Sequence, residues 1–480
     1  MVHRHALLLA SAIALFAGTA RADPPVAEVH KKVREIESAV IRGQADTLRL
    51  ELEQKARNRP GDVLLRIYIA WCAMPSDETW NALKGVTAIY PDQPWARFGM
   101  GRVYGKWKMK DRALAEFDRV LKADPRFYPA LVGKGDVMRE AGDLDTATAL
   151  YQKALQIQDD PEAHAGLGLT LLKKGDTAAA KQELTRAIAL WPDQPKVLTE
   201  LVALARKEQD AAAASKWARA LAELQPRDPQ AHRLVADLAL EAGDKAQAAA
   251  EYERAIRLGA VDTATWKKLA AIYQELGRAD DEQRALEQLS SLERQVADHP
   301  LRLSELYEAK GQLEQAESQL LEAISRAPTR ADLHARLAKL RMKAGNPREA
   351  LEAYRAALAA PDHPVEGLQA EAKALADRFK LPAKPVKGSI DAIYGRISAS
   401  LNALYLETVK KKPGLEGVVK IRVRVGDDGV VQGAEVIDDT LGDPWLVGHA
   451  YFALKDAVFP KKKREPIFEF ELKAPARGKK

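Results

Sequence analysis

The segment from Pro161 to Pro192 contains one complete helix–turn–helix unit, and copies of it recur in phase along most of the chain. Leu167, Gly168 and Leu171 fall at helical spacing on a first helix, and Ala180, Leu184 and Ala187 on a second. Gly175-Asp176 separates the two, and Pro192 closes the unit. One such hairpin cannot bury its apolar faces alone, so it needs copies of itself on either side. The recurrence points to a stack that presents a surface, and away from a closed reaction centre.

From Pro94 the unit starts fall at 94, 128, 161, 195, 229, 263, 297 and 331, with steps of 34 residues except one of 33. A small residue of the second helix recurs at Ala113, Ala147, Ala180, Ala214, Ala248, Ala316 and Ala350. A large one follows four positions on, at Phe117, Tyr151, Leu184, Tyr252, Leu320 and Tyr354. This pattern resembles the tetratricopeptide repeat over residues 94–362. The resemblance implies a mostly α fold, a TPR-like right-handed α-solenoid of about ten helical hairpins. Residues 23–93 read as degenerate terminal repeats, with one pair of helices split at Gly43 and a looser copy ending at Pro91. Glu282 stands where the small Ala belongs, which predicts looser packing around 280–300. Residues 363–380 predict a capping helix through Leu368, Ala372, Leu375 and Phe379.

Residues 1–22 carry a short polar start, an apolar run from Ala6 to Ala20 and the small-x-small triplet Ala20-Arg21-Ala22, the pattern of a secretory signal peptide. No cysteine follows the expected cut, so no lipid attachment is expected there, and the expected location is the periplasm. The alternative is a segment that stays uncleaved as an anchor. The net charge of +6 is uneven: residues 386–480 hold 17 Lys+Arg against 13 Asp+Glu, and residues 23–385 balance. A neutral array argues against nucleic acid as a partner. The single cysteine, Cys72, excludes a disulfide framework.

No phosphate loop, nucleophile elbow or paired-carboxylate motif appears, so neither catalysis nor a cofactor is expected. His164, His232 and His334 occupy the same offset in three units, which makes them helix-packing residues and predicts no metal site. In tetratricopeptide arrays the first helix of each unit lines the concave face. Carried onto this chain, the inward positions include Trp95, Phe98, Arg102, Arg139, Lys196, Arg206, Arg233 and Lys267. A polar face of both signs suits an extended peptide or a partner helix.

Residues 381–388 read as a short, stiff linker containing Pro382 and Pro385. Beyond it the apolar period changes from 3.6 to 2. A helix is expected over 389–411, strands over 416–425 and 430–440 around the turn Gly426-Asp427-Asp428-Gly429, a helix over 444–459 capped by Asp443, and a strand over 466–473. Tyr405, the run Pro413 to Val419, Gly429-Val430-Val431, Leu441, Phe459-Pro460 and Phe468-Glu469-Phe470 make residues 389–473 similar to the TonB C-terminal domain, and closer still to the AgmX/PglI type of cell-envelope and gliding-motility proteins. The resemblance implies a small α+β (αββαβ) domain whose last strand, carrying Phe468, Phe470 and Leu472, takes a partner's segment onto its edge. The cysteine pair usual in the AgmX/PglI type is missing, with Leu404 and His449-Ala450 nearby. Residues 474–480 form a basic tail, and the lysine runs 410–412 and 461–463 allow at most peripheral, electrostatic membrane contact. The expectation is a non-enzymatic scaffold binding other envelope proteins or peptides. The alternative is a TonB-like energy transducer held by an uncleaved amino-terminal anchor.

Overall fold

A computed structural model of the protein describes residues 24–381, 384–461 and 464–473. Residues 1–22, read above as a signal peptide, the expected basic tail 474–480 and part of the 461–463 run lie outside the described residues. The chain divides into two compact units, one ending at Val261 and one beginning at Asp262.

The first unit is built from helices taken in pairs: α1 (Val26–Ile41) and α2 (Ala45–Asn58), α3 (Val63–Trp71) and α4 (Asp77–Ile89), α5 (Pro94–Lys106) and α6 (Lys110–Ala123), α7 (Tyr128–Glu140) and α8 (Leu144–Ile157), α9 (Pro161–Lys174) and α10 (Thr177–Leu190), α11 (Pro195–Lys207) and α12 (Ala211–Leu224), α13 (Pro229–Glu241) and α14 (Lys245–Arg257). Local chemistry sets their ends. Proline opens α5, α9, α11 and α13, where its missing N–H costs nothing. Asp143, Asp176, Asp210 and Asp244 each accept a backbone N–H at the start of a second helix. Gly142, Gly175 and Gly243 take positive φ between paired helices, a conformation that would strain any side chain there. Ala113, Ala147, Ala180, Ala214 and Ala248 are fully buried, and so are Phe117, Tyr151, Leu184 and Tyr252, one turn on from the first three and the last of them.

The second unit continues with α15 (Thr263–Glu275) and α16 (Ala279–Leu292), α17 (Asp298–Ala309) and α18 (Leu313–Arg326), α19 (Ala331–Lys343) and α20 (Pro347–Ala359), then α21 (Leu368–Arg378), the single helix that follows the last hairpin. The loosening expected around 280–300 is not found. Glu282 is buried and receives two hydrogen bonds from the Arg302 guanidinium, at 2.7 and 3.3 Å, so a buried ion pair fills the place of the alanine. Ala285, Leu286 and Leu289 are buried behind it.

After α21 come α22 (Ile390–Val409), β1 (Gly417–Val425), β2 (Val431–Asp439), α23 (Pro444–Lys455) and β3 (Ile467–Leu472). The sheet is antiparallel in the order β2-β1-β3. Its buried face is Val419, Ile421, Val423, Val425, Phe468, Phe470 and Leu472, packed under α22 and α23. The 381–388 segment is pinned where the backbone N–H of Val458 bonds to the Val386 carbonyl at 2.8 Å. The α+β part is docked against α20. Arg355 grips Asp456 with two bonds of 3.0 and 2.8 Å, and the Tyr451 hydroxyl donates to Glu352 at 2.5 Å. Phe379, at the end of α21, is buried between Trp445 and Phe452, with ring centroids 5.0 and 5.5 Å away.

Candidate functional site

In the first unit the leading helices α3, α5, α7 and α9 touch side by side and form one continuous face. Helix α1 was expected to be the first layer of the stack. It instead crosses this face, because its inner side carries a row of groups matched to the groups of later hairpins.

His30, fully buried, sets its Nδ1 3.2 Å from the Tyr128 hydroxyl and 3.3 Å from Asp160 Oδ2, and its Nε2 3.1 Å from Glu162 Oε1. Its ring lies 5.8 Å from that of Trp95 and 5.4 Å from that of Tyr128. Burial alone would favour neutral imidazole, but the carboxylates of Glu162 and Asp160 outweigh it and push the pKa up to about 9. Burial likewise works against the Glu162 carboxylate, and His30, Arg102 and Arg34 overcome it, bringing the group down to about 2.

One turn along, Arg34 donates to Asp160 Oδ2 at 2.8 Å. Glu37 then accepts from Arg102 at 2.6 Å and from the Trp71 indole at 3.2 Å. The Trp191 indole donates to Ser38 Oγ at 2.9 Å, and Arg42 closes the row with two bonds to Asp193, at 2.9 and 2.6 Å. Asp160 is used twice: its Oδ1 caps α9 by accepting from the N–H groups of Glu162 and Ala163, while its Oδ2 faces α1. Val29, Val33 and Ile36 are buried between the charged positions.

Along the carboxy-terminal half of α1 the groove is not filled. A cavity of about 470 Å³ remains between Glu37, Val40 and Ile41 on one side and Arg102, Asp136, Arg139, Glu162 and Lys196 on the other. Its floor includes Gly101, Gly133 and Gly166, where the missing side chains leave depth; a Cβ on Gly101 or Gly133 would lie 2.5 or 2.6 Å from the Phe117 ring. A second depression, about 440 Å³, extends over Lys108, Arg139, Lys173, Lys196 and Glu200. Lys106 and Lys196 form no ion pair within 4 Å among the described residues, though Lys196 lies near Glu140, and Lys173 reaches only the Arg139 carbonyl at 3.4 Å.

The groove residues expected from sequence are distributed differently. Trp95 and Phe98 are not open to a ligand; they are buried under α1. Arg102 is held by Glu37, and Arg139, itself buried, by Asp136 at 2.9 Å and the Tyr151 hydroxyl. Lys196 is exposed at the cavity rim. Arg206 pairs with Glu241 between α11 and α13, and Arg233 lies beside the Tyr252–Asp237 hydrogen bond. Lys267 belongs to the second unit, where it pairs with Glu293 at 2.7 Å. Sequence reasoning missed His30, Arg34, Glu37, Asp160 and Glu162. The signal for the first three was their spacing along one helical face, which by itself marks any amphipathic helix.

His164 bonds to Glu183 and Asp159 and His232 to Glu251, tying their own hairpins together, while His334 bonds the Pro328 carbonyl in the loop before its helix. No group of three or more potential metal-ligating side chains occurs among the described residues, and none of their helices is long and apolar enough to cross a membrane.

In the second unit Phe468, Phe470 and Leu472 point into the core, so their side chains are not offered at an edge. The bond from the Val423 N–H to the Pro466 carbonyl and the β1–β3 register turn the backbone groups of Ile467, Glu469 and Glu471 to the outer edge of β3. One of these is already taken, since the Tyr394 hydroxyl donates to the Glu469 carbonyl at 3.0 Å. Between α22 and α23, His449 shares a hydrogen bond of 2.7 Å with Ser400 and bonds the Phe379 carbonyl at 2.8 Å, a polar bridge between the two helices and the end of α21.

Family models match the same repeat. Residues 135–175 match a family model described as TPR repeat, and residues 171–238 and 301–330 match models described as Tetratricopeptide repeat. Among curated proteins the chain is 26% identical to BBSome complex member BBS4 of Bos taurus, over 46% of this chain and 42% of that one. It is 27% identical to cellulose synthase operon protein C of Xanthomonas axonopodis pv. citri, over 52% of this chain and 18% of that one. The chain spans less than half the length of the curated relatives it matches. Among solved structures it is similar to the APC/C hetero-tetramer Cut9–Hcn1, at 15% identity and a TM-score of 0.36 over 62% of this chain and 59% of that one. It is also similar to YrrB, described as a TPR protein with an unusual peptide-binding site, at 19% identity and a TM-score of 0.29 over 38% and 93%. The matched hairpins, residues 135–238 and 301–330, are therefore tetratricopeptide repeats.

Proposed function

We propose that this chain is an exported, non-catalytic scaffold of the bacterial cell envelope that holds protein segments on the inner face of its first unit. Tetratricopeptide hairpins supply a protein-binding framework. The observation that takes the reading to a site is the seating of α1: this face binds a helix through matched charges and indole donors, and leaves space beside it. Lys106 and Lys196 at the edge of that space favour a partner segment with carboxylates at the corresponding end. The outer edge of β3 offers the backbone of Glu471 to a second partner by strand addition, as the resemblance to TonB-type domains implies, so the chain would tether two envelope components. Export rests on the pattern of residues 1–22, and a gliding-motility or envelope-machine setting rests on the resemblance of residues 389–473.

The test is periplasmic crosslinking of the wild type, a Lys106→Glu/Lys196→Glu variant and a Lys153→Glu control on the exposed side of α8. The first substitution should remove a crosslinked protein that the control retains. Identical patterns for both variants would remove the groove from the reading. Sequencing the mature amino terminus should give a chain starting near Asp23; a start at Met1 would refute export by cleavage.

A further inference from the structure

We infer that α1 is an exchangeable occupant of the groove, holding the place of a partner helix that carries α1's own pattern of apolar, cationic and anionic residues with bulkier side chains at the positions of Val40 and Ile41. The inference rests on the groove being a binding face and names what it binds.

Three observations carry it. First, the groove hairpins have packing and caps of their own: Ala113, Phe117, Ala147, Tyr151, Ala180 and Leu184 are buried, and Asp160 caps α9 through bonds that do not involve α1, whereas Trp95 and Phe98 need an apolar helix over them, which α1 now supplies. Second, the contact is coded by charge. Cations at His30 and Arg34 meet Asp160 and Glu162, the carboxylate of Glu37 meets Arg102, and the guanidinium of Arg42 meets Asp193. A competing helix must reproduce that order, and must cover the apolar ground now held by Val29, Val33 and Ile36.

Third, the fit is incomplete on one half only. The amino-terminal half of α1 is buried on Trp95 and Tyr128, whereas the cavity of about 470 Å³ runs along Glu37, Val40 and Ile41. This space is open to solvent at its rim, and a helix with larger residues at those two positions would fill it and gain contacts that α1 lacks. The turn that would let α1 swing away is short, with Gly43 at φ 71°.

The probe is a labelled synthetic peptide of residues 24–44, alone and with Val40→Phe, titrated against the full mature chain. The peptide should bind an Arg34→Ala/Arg42→Ala chain at least about tenfold more tightly than wild type, because the internal competitor is weakened. Val40→Phe should tighten it further, and adding Asp160→Asn and Glu162→Gln to the chain should abolish binding. Equal affinity for wild-type and loosened chains, or indifference to the two carboxylates, would overturn the inference. A second measurement covers the case in which the loosened chain loses structure: excess Val40→Phe peptide added to wild type should raise hydrogen exchange over residues 26–41 and leave residues 94–207 protected. Unchanged exchange at saturating peptide counts against displacement. A groove that still loses its crosslinked partner on Lys106→Glu/Lys196→Glu but ignores these peptides would defeat only the exchange, so the two readings fail separately.

Discussion

Nδ1 of His30 lies 3.3 Å from Oδ2 of Asp160, with 0% and 1% of the two side chains exposed, so a charge on the first described helix is neutralised inside a later repeat. Removing one partner from a pair this deeply buried leaves the other without compensation, which costs more than the pair itself contributes. The seating of α1 is therefore sensitive to single protons and single atoms in this cluster.

Docking of α1 should depend on pH in a defined direction. The groups facing His30 are Asp160 and Glu162 from α9 and its approach, Tyr128 at the start of α7, and Arg34 on its own helix. Its pKa rises from an ordinary 6.5 to about 9 on docking, so the stabilisation is complete below pH 6.5 and is lost as pH climbs through 9. The full loss is on the order of 3 kcal/mol. On the acid side Glu162, held down at about 2, sets the limit: its contribution is present above about 4.5 and falls away below that value. Protection factors over residues 26–41, corrected for intrinsic exchange, should be greatest near pH 5 to 6.5 and decline toward pH 9. A His30→Gln chain should show no such decline.

Asp160 allows its two roles to be separated. Asp160→Asn keeps an oxygen to cap α9 and removes the charge that Arg34 and His30 face, so protection of α1 should fall with little change in the melting of the remaining repeats. Asp160→Ala removes the cap as well and should cost the repeats about a further 1 kcal/mol in chemical denaturation. If Asn and Ala behave alike in both measurements, the cap contributes nothing.

Gly101 and Gly133 face the Phe117 ring from two successive helices, and each would place a Cβ within about 2.6 Å of it. Phe117 is 1% exposed between them, so its ring must shift to admit either methyl group. Gly133→Ala should destabilise the first unit by roughly 1–3 kcal/mol through overpacking, measured by urea denaturation. Gly142→Ala, in open space but at φ 86°, should also destabilise, by backbone strain alone, and by less. Phe117→Leu combined with Gly133→Ala should recover part of the loss; no recovery would place the strain elsewhere.

The repeat period was legible because each of its signals is local. Ala180 and Leu184 lie one turn apart on a single helix, and the turn glycines need only their own φ. The strands were legible for the same reason, since Val419, Ile421, Val423 and Val425 alternate along one segment. The seating of α1 was not. Its partners lie 98 residues away for His30 and Tyr128, and 126 for Arg34 and Asp160, and an amphipathic helix bound in a groove has the same pattern as one layered on a stack. Trp95 and Phe98, read from the sequence as open to a ligand, are thus covered by a helix that no local signal assigns to them. Glu282 misled in the opposite way, because its compensation, Arg302, sits on a different helix with no fixed spacing to it.

The docking of the α+β part on α20 and α21 should depend on Phe379 more than on the surface pairs. Gly448 lies against its ring and has no side chain to obstruct it, Trp445 and Phe452 close around it, and its carbonyl receives His449. Phe379→Ala leaves a cavity that the surrounding helices cannot collapse into, and should cost roughly 3–5 kcal/mol. Arg355→Ala, which breaks the half-exposed bonds to Asp456, should cost less than about 1 kcal/mol. Hydrogen exchange reads the difference by element: Phe379→Ala should deprotect α21, α22 and α23 together while α5 to α14 remain unchanged, and Arg355→Ala should leave all of them protected. Equal losses for the two variants would mean that the ion pairs, and not the aromatic cluster, hold this part of the chain in place.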